Sequence, residues 1–93
     1  MPTKEQIIEK LKSVKDPELG IDVWTLGLIY KIETGENGVD ILMTLTSPFC
    51  PFAEELIGDV EKSLKPLSKE VRVNITFEPE WQPSEELRLM LGV

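Results

Sequence analysis

The alternation of apolar and polar residues predicts six elements, which are a helix, two strands, a helix, a strand and a last helix. Thr3 and Gln6 have the spacing of a capping box, which indicates that a first helix begins there. Asp16-Pro17 is expected to stop this helix. Its predicted apolar face consists of Ile7, Ile8, Leu11 and Val14.

Two alternating segments on either side of the sequence GENG predict a β-hairpin. Asn37-Gly38 in the connection suits a tight reversal because both residue types tolerate positive φ. The predicted inward positions are Leu28, Tyr30 and Ile32 in the first strand, and Val39, Ile41, Met43 and Leu45 in the second. The preceding segment, DPELGIDVWTLG, has no clean period and predicts an ordered loop.

An apolar stripe from Phe52 to Leu64 predicts the second helix, which Pro66 ends. Pro51 suits its first helical position, and Cys50 would then be its N-cap. The third strand is predicted from Val71, Val73, Ile75 and Phe77. Ser84 is expected to cap the last helix, whose apolar face would be Leu87, Met90 and Leu91, with Gly92 beyond its end.

These elements predict a two-layer α/β (α+β) fold of the order α-β-β-α-β-α, with the helices packed on a mixed three-stranded sheet. The length of 93 residues is expected to form one domain, 1–93. A crossover from the second strand through the second helix to the third strand places strand carboxyl ends and a helix N-terminus at one sheet edge. The Thr46 to Pro51 segment is expected at that edge.

The composition excludes several classes of protein. Seventeen acidic residues against ten basic ones give a net charge of -7, which opposes binding to nucleic acid. No apolar run approaches the ~20 residues of a membrane span. The start, MPTKEQIIEKLK, lacks the apolar core of a secretory signal, and a lone cysteine cannot form an internal disulfide. We therefore expect a cytoplasmic protein.

Cys50 is the only cysteine and lies in the sequence TSPFCPF. At a helix N-terminus, backbone N–H groups and the helix dipole favour the thiolate, which binds soft metals or attacks electrophiles. Glu54 and Glu55 in the first turn, and the neighbouring Phe49 and Phe52, oppose that ionisation. The residues alone leave two interpretations open, a reactive thiol and a small buried apolar side chain.

The chain contains no histidine, which excludes a Cys-His hydrolase and a histidine-built zinc site. An iron-sulfur cluster normally takes four protein ligands, and this chain supplies one thiol, so it cannot hold a cluster alone. The other ligands would come from a second copy, a client, a small thiol, or oxygen donors such as Asp16 and Glu18. Taken by themselves, Asp16, Pro17 and Glu18 favour a simpler interpretation, a helix stop with acids in a solvated loop.

Three segments taken together, DPELGIDVWTLGLIY, VDILMTLTSPFCPFAEELIGDVE and VRVNITFEPEWQPSEEL, resemble the family of metal-sulfur cluster assembly factors that includes PaaD-like proteins and cytosolic iron-sulfur assembly subunits. The resemblance covers nearly the whole chain. It lies in the ordered motifs D-P-E, L-G-L-[IV]-Y, T-x-P-x-C-P and F-x-P-x-W-x-P. It implies the iron-sulfur cluster assembly domain and a non-enzymatic role in maturing clusters in client proteins.

The resemblance also implies a site, in which Cys50 is the transient ligand of iron or of a shared cluster. The supporting residues that it implies are Asp16, Glu18, Thr46, Pro48, Pro51 and Glu54. The implied partners are client apo-proteins and other iron-sulfur assembly proteins, and a homodimer would supply two thiols. Two alternatives stay open: a protein-interaction adaptor in which Cys50 is structural, and a thiol redox element.

Overall fold

The computed structural model describes residues 2–17, 19–36, 38–46 and 52–91, without the side chains of residues 90 and 91. Its elements follow the predicted order: α1 Lys4–Leu11, β1 Ile29–Gly35, β2 Gly38–Met43, α2 Ala53–Leu64, β3 Val71–Ile75 and α3 Glu85–Leu91. None of the helices in these ranges has the length and apolar content that a bilayer crossing requires.

The three strands form one mixed sheet in the order β1-β2-β3. β1 runs antiparallel to β2, whereas β3 runs parallel to it, with Val39 opposite Val71 and Met43 opposite Ile75. A parallel pair needs a crossover connection, which α2 provides. The predicted fold class is confirmed.

The core lies between one face of the sheet and the helices. Alternate residues of the central strand, Val39, Ile41 and Met43, are fully buried. They belong to one apolar cluster with helical residues from α1 and α2, which are Ile7, Leu11, Leu56, Val60 and Leu64. The other face of the sheet carries charged side chains such as Lys31 and Glu33, which are more than half exposed. The period of two along β2 therefore separates the apolar and polar faces.

Two helix caps predicted from the sequence are present. The Thr3 hydroxyl accepts a hydrogen bond from the Gln6 N–H at 3.2 Å, and the Gln6 side chain accepts one from the Thr3 N–H at 2.9 Å. At α3, the Ser84 hydroxyl accepts from the Leu87 N–H at 3.1 Å. Leu87 is buried as predicted, whereas the side chains of Met90 and Leu91, and Gly92, lie outside the described residues.

The prediction that α1 extends to Asp16 is wrong, because the helix ends at Leu11. The next N–H groups close short turns, with Val14 bonding to the Leu11 carbonyl at 3.1 Å. Lys15 then pairs with Asp22 in an isolated antiparallel bridge. Val14 is still buried, so its apolar character reflects a core position outside the helix.

The predicted start of α2 is also wrong. The helix begins at Ala53, and Phe52, not Cys50, is the N-cap. The Phe52 carbonyl accepts the first helical hydrogen bond, from the Leu56 N–H at 2.9 Å, while Pro51, predicted at the first helical position, lies outside the described residues. The Phe52 side chain is 39% exposed, and the buried stripe begins with Leu56.

Two strand predictions need correction. The pairing of β1 with β2 shifts between Ile29 and Lys31, so Tyr30 is an extra residue in a β-bulge. The predicted alternation of Leu28 and Tyr30 is therefore broken, and Leu28 is buried before the strand begins. β3 ends at Ile75, and Phe77 is 45% exposed beyond it.

Candidate functional site

The segment from Thr46 to Phe52 connects the end of the central strand to the start of α2. Because β2 and β3 are parallel, the residues that follow both strands lie at one edge of the sheet, together with the N-terminus of α2. Thr46, which follows β2, and Glu54, in the first turn of α2, thus both lie at this edge. Four other predicted site residues lie outside the described part of the chain: Cys50, Pro48, Pro51 and Glu18.

Thr44 extends the sheet at this edge, and it is a residue that the sequence reasoning missed. It is fully buried, and its N–H donates a hydrogen bond to the Leu28 carbonyl at 2.8 Å. On the other side, the Thr76 N–H donates to the Met43 carbonyl at 2.9 Å. Thr44 continues the β2 alternation as a polar residue, and no sequence signal marks it as buried.

Asp16 is buried at the start of a turn whose other described residues, Pro17, Leu19 and Gly20, are exposed, so the interpretation as a solvated loop acid is wrong for Asp16. The residue is 2% exposed, and its Oδ1 accepts a hydrogen bond from the Leu19 N–H at 3.1 Å. Its own N–H donates to the Ile21 carbonyl at 2.9 Å, and its carbonyl accepts from the Gly20 N–H at 2.8 Å. Gly20 has φ +70°, which glycine adopts without strain. The carboxylate therefore stabilises the turn that follows it.

A series of backbone hydrogen bonds joins the Asp16 turn to the edge at Thr46. The Val23 N–H donates to the Val14 carbonyl at 2.9 Å, and the Leu28 N–H donates to the Val23 carbonyl at 3.1 Å. Leu28 in turn accepts from Thr44. The ordered loop that the sequence predicts is thus fixed to the sheet by its backbone, which holds the Asp16 turn in a defined position relative to β2.

The first turn of α2 carries exposed carboxylates. Glu54 and Glu55 lie there, where negative charge is stabilised by the positive end of the helix dipole. Phe52 makes no side-chain capping hydrogen bond. The helix start therefore presents an aromatic side chain next to two acids.

A cleft of about 260 Å³ opens beside Thr46, and we call it the Trp81 cleft. It is lined by Leu45, Thr46, Phe77, Glu80 and Trp81. The Trp81 indole N–H donates to the Leu26 carbonyl at 2.7 Å, a contact between residues 55 positions apart. This bond and the packing of Trp81 against the core fix one wall of the cleft.

Charge pairing around the sheet is concentrated on its open face. Arg72 donates to both carboxylate oxygens of Asp40, at 2.6 and 2.9 Å, and to Glu70 at 2.9 Å. The hydrogen bonds from Arg72 lower the pKa of Asp40. Within the described ranges, no group of three acidic, cysteine or histidine side chains is arranged to hold a metal ion.

Comparison with known proteins identifies the family. A family model described as iron-sulfur cluster assembly protein matches residues 4–77. The chain belongs to this family. The match includes Asp16, Cys50 and all elements except α3, so the resemblance drawn from the motifs is confirmed.

Three relatives of this family member are similar to it over nearly their whole length. The Fe-S protein maturation auxiliary factor of Porphyromonas gingivalis is 43% identical over 99% of this chain and 93% of its own. The factor YitW of Bacillus subtilis, which has the same description, is 40% identical over 97% of this chain and 94% of its own. A conserved hypothetical protein from Thermotoga maritima has a solved structure with a TM-score of 0.86, at 43% identity over 99% of this chain and 96% of that one.

In this iron-sulfur cluster assembly family member, the family match ends inside the Trp81 cleft. Leu45, Thr46 and Phe77 belong to the matched residues, whereas Glu80 and Trp81 follow them. The residues that the family model matches therefore supply one part of the cleft lining, and the F-x-P-x-W-x-P segment that leads to α3 supplies the rest.

Proposed function

We propose that this protein assists the maturation of iron-sulfur proteins by holding iron or a cluster on the Cys50 thiolate and passing it to client apo-proteins. The observation that carries the proposal is the place of the cysteine in the chain. The family's matched residues include the connection between β2 and α2, and that connection contains the only thiol. The description of two relatives as Fe-S protein maturation auxiliary factors supports the same role.

The cargo would be held through incomplete coordination. A cluster takes about four protein ligands, so one Cys50 thiolate leaves most positions to a client, a second copy of the chain or a small thiol. Replacement of those outside ligands by client cysteines would release the cargo. The thiolate is the form that ligates metal, and a nearby helix N-terminus favours it.

The supporting residues would act on the position of the thiol. We assign Thr46, Pro48 and Pro51 to the shape of the connection, with Glu18 and Glu54 as its acidic neighbours. Asp16 would contribute by fixing its turn, since its carboxylate already accepts the Leu19 N–H at 3.1 Å in a buried setting. In this proposal the protein is a non-catalytic cytoplasmic factor, and its partners are client apo-proteins and other assembly proteins.

An adaptor is the second candidate function. Phe52 and Phe77 are 39% and 45% exposed. Phe52 directly precedes α2 and Phe77 follows β3, so both lie at the same edge of the sheet. Exposed aromatic side chains are common at the centres of protein interfaces. In this alternative the protein docks clients to another carrier, and the cargo never touches Cys50.

Anaerobic reconstitution with ferrous iron and sulfide separates these functions. We expect wild-type protein to gain visible absorbance and to deliver cluster to an apo-protein with four cysteine ligands, and we expect Cys50→Ser to do neither. A matched control is the double variant Cys50→Ser/Ser68→Cys, which has one thiol at the α2–β3 loop, at the opposite sheet edge. If this control or Cys50→Ser binds as well as wild type, the ligand role is wrong. If Cys50→Ser still supports maturation fully, the adaptor is favoured.

A further inference from the structure

We propose that the Trp81 cleft docks a segment of a partner protein in which an apolar side chain lies next to lysine or arginine. This inference rests on the proposed function, because it specifies the chemistry by which a client or assembly protein is recognised. The cleft is lined by the apolar residues Leu45, Phe77 and Trp81 and by the acidic residue Glu80, which is exposed. At about 260 Å³, it has room for one aliphatic or aromatic side chain.

Hydrogen bonds on both sides hold the cleft in its open shape. On one side, the Trp81 indole is bonded to the Leu26 carbonyl at 2.7 Å. On the other side, the Thr76 hydroxyl accepts from the Glu78 N–H at 3.2 Å, and the Tyr30 hydroxyl donates to the Pro79 carbonyl at 2.8 Å. Phe77 therefore projects from a segment whose backbone is already fixed. A segment whose backbone is ordered before binding loses little backbone conformational entropy on binding.

Acidic residues dominate the two segments that form this edge. Residues 44–57 and 76–87 contain no lysine or arginine, and their acids are Glu54, Glu55, Glu78, Glu80, Glu85 and Glu86. A surface of one charge sign attracts partners of the opposite sign and repels those of its own. The cleft thus combines apolar lining residues with one acidic residue, Glu80, and its lining comes from segments that contain acids and no basic residue.

This combination selects one class of occupant. A second copy of the chain that entered the cleft with the same edge would bring acidic residues against Glu80, and nucleic acid would bring phosphates, so charge disfavours both as occupants of the cleft. A protein segment with an apolar residue flanked by basic residues satisfies both features. Because Thr46 lines the cleft and also begins the connection to Cys50, the docked segment would lie beside that connection. Docking there would raise the effective concentration of the partner's ligands near the thiol.

Peptide selection tests the inference directly. Random heptapeptides displayed on phage would be selected against the full chain, with Phe77→Asp as the counter-target. We expect enrichment of Leu, Ile, Phe or Met next to Lys or Arg. The enriched peptides would then be synthesised and titrated against a Trp24→Phe variant, in which Trp81 is the remaining tryptophan and reports binding by its fluorescence.

Paired variants locate the binding. We expect Phe77→Ala to weaken binding about tenfold and Glu80→Gln about threefold, because one removes apolar contact and the other removes charge. The matched controls are Leu89→Ala, which removes a side chain that is 78% exposed on α3, and Glu36→Gln at the hairpin end of the sheet. Both controls should bind as the parent does. Raising the salt concentration should weaken binding to the parent, since salt screens exposed charges.

Several results would overturn the docking inference. The selection could enrich no peptides, or it could enrich acidic or uncharged ones. The control variants Leu89→Ala and Glu36→Gln could also lose as much peptide affinity as Phe77→Ala and Glu80→Gln. Self-association in sedimentation that Phe77→Asp abolishes would also overturn it, since the occupant would be a second copy. Cys50→Ser should bind the peptides normally. Peptide binding without iron binding in the wild type refutes only the ligand role of Cys50, and iron binding without peptide binding refutes only the docking inference.

Discussion

Substitution of Asp16 separates a structural role of this acid from a metal-binding role. Its carboxylate is 2% exposed and accepts the Leu19 N–H at 3.1 Å. A hydrogen bond to a charged group contributes about 1.5–3 kcal/mol, so Asp16→Ala should lower the free energy of unfolding by about 2 kcal/mol. For a chain of 93 residues that loss corresponds to a fall in Tm of roughly 8–16 °C. Asp16→Asn keeps an acceptor oxygen, and we expect it to lose about 1 kcal/mol.

Urea unfolding followed by far-UV circular dichroism measures these losses, and iron binding is measured where each variant is folded. Asp22→Ala is the matched control, because Asp22 accepts the Thr25 N–H at 2.9 Å in the same loop but in an exposed setting. It should lose only about 0.5–1 kcal/mol. The structural reasoning is refuted if Asp16→Ala unfolds at the wild-type urea concentration. A stable Asp16→Asn variant that no longer binds iron would instead make Asp16 a ligand.

Two further predictions concern the stability of the sheet and of α2. Gly38 has φ +128° and approaches the Glu70 backbone too closely for a Cβ, so Gly38→Ala should cost about 2 kcal/mol of stability. Gly58 lies inside α2, where an alanine methyl would meet no atom within 4 Å beyond its own helix backbone. Gly58→Ala should therefore raise the free energy of unfolding by about 0.5–1 kcal/mol. Equal Tm shifts for the Gly38 and Gly58 variants would contradict this account. Arg72 lowers the pKa of Asp40 below its ordinary value of 3.8 by hydrogen bonding, so the stabilisation is complete above about pH 5 and is lost as the pH falls through the lowered pKa. The stability difference between wild type and Asp40→Asn should therefore shrink on acidification, and a difference that is constant from pH 6 to pH 2 in urea titrations would be inconsistent with it.

The order and type of the elements could be predicted because each has a strong local signal. The capping box at Thr3 and Gln6, the alternation along β2 and the cap at Ser84 all depend on residues within a few positions of each other. The mixed sheet followed from the lengths of the connections, because only the β2–β3 connection contains a helix. Local periodicity therefore predicted the fold class without any information on contacts between distant residues.

The ends of the helices and strands depend on contacts with distant residues, which the local periodicity of the sequence does not report. Val14 has the spacing of a helical core residue, but α1 ends at Leu11 and the next segment pairs in the bridge between Lys15 and Asp22. The bulge at Tyr30 depends on pairing with β2, and the start of α2 depends on which carbonyl accepts the first helical bond. Each of these is decided by a partner elsewhere in the fold.

The position of the connection between β2 and α2 in the fold was predicted from the sequence, whereas the cleft beside Thr46 was not. The motif around Cys50 placed it between the central strand and the next helix, and Thr46 lies where that placement requires. The cleft was not predicted, because Trp81 meets Leu26 across 55 positions of sequence. The assignment of Cys50 as a metal ligand stays a prediction.

The mixed sheet also sets the order in which the molecule is completed during synthesis. β1 and β2 are consecutive, whereas Asp40 and its β3 partner Arg72 are 32 residues apart, so β3 joins after the intervening helix has emerged. The amide of Thr76, which closes on the Met43 carbonyl at 2.9 Å, leaves the ribosome well after Cys50 does. A nascent chain thus carries its thiol before the neighbouring strand exists, and this edge of the sheet is assembled only after β3 has been synthesised.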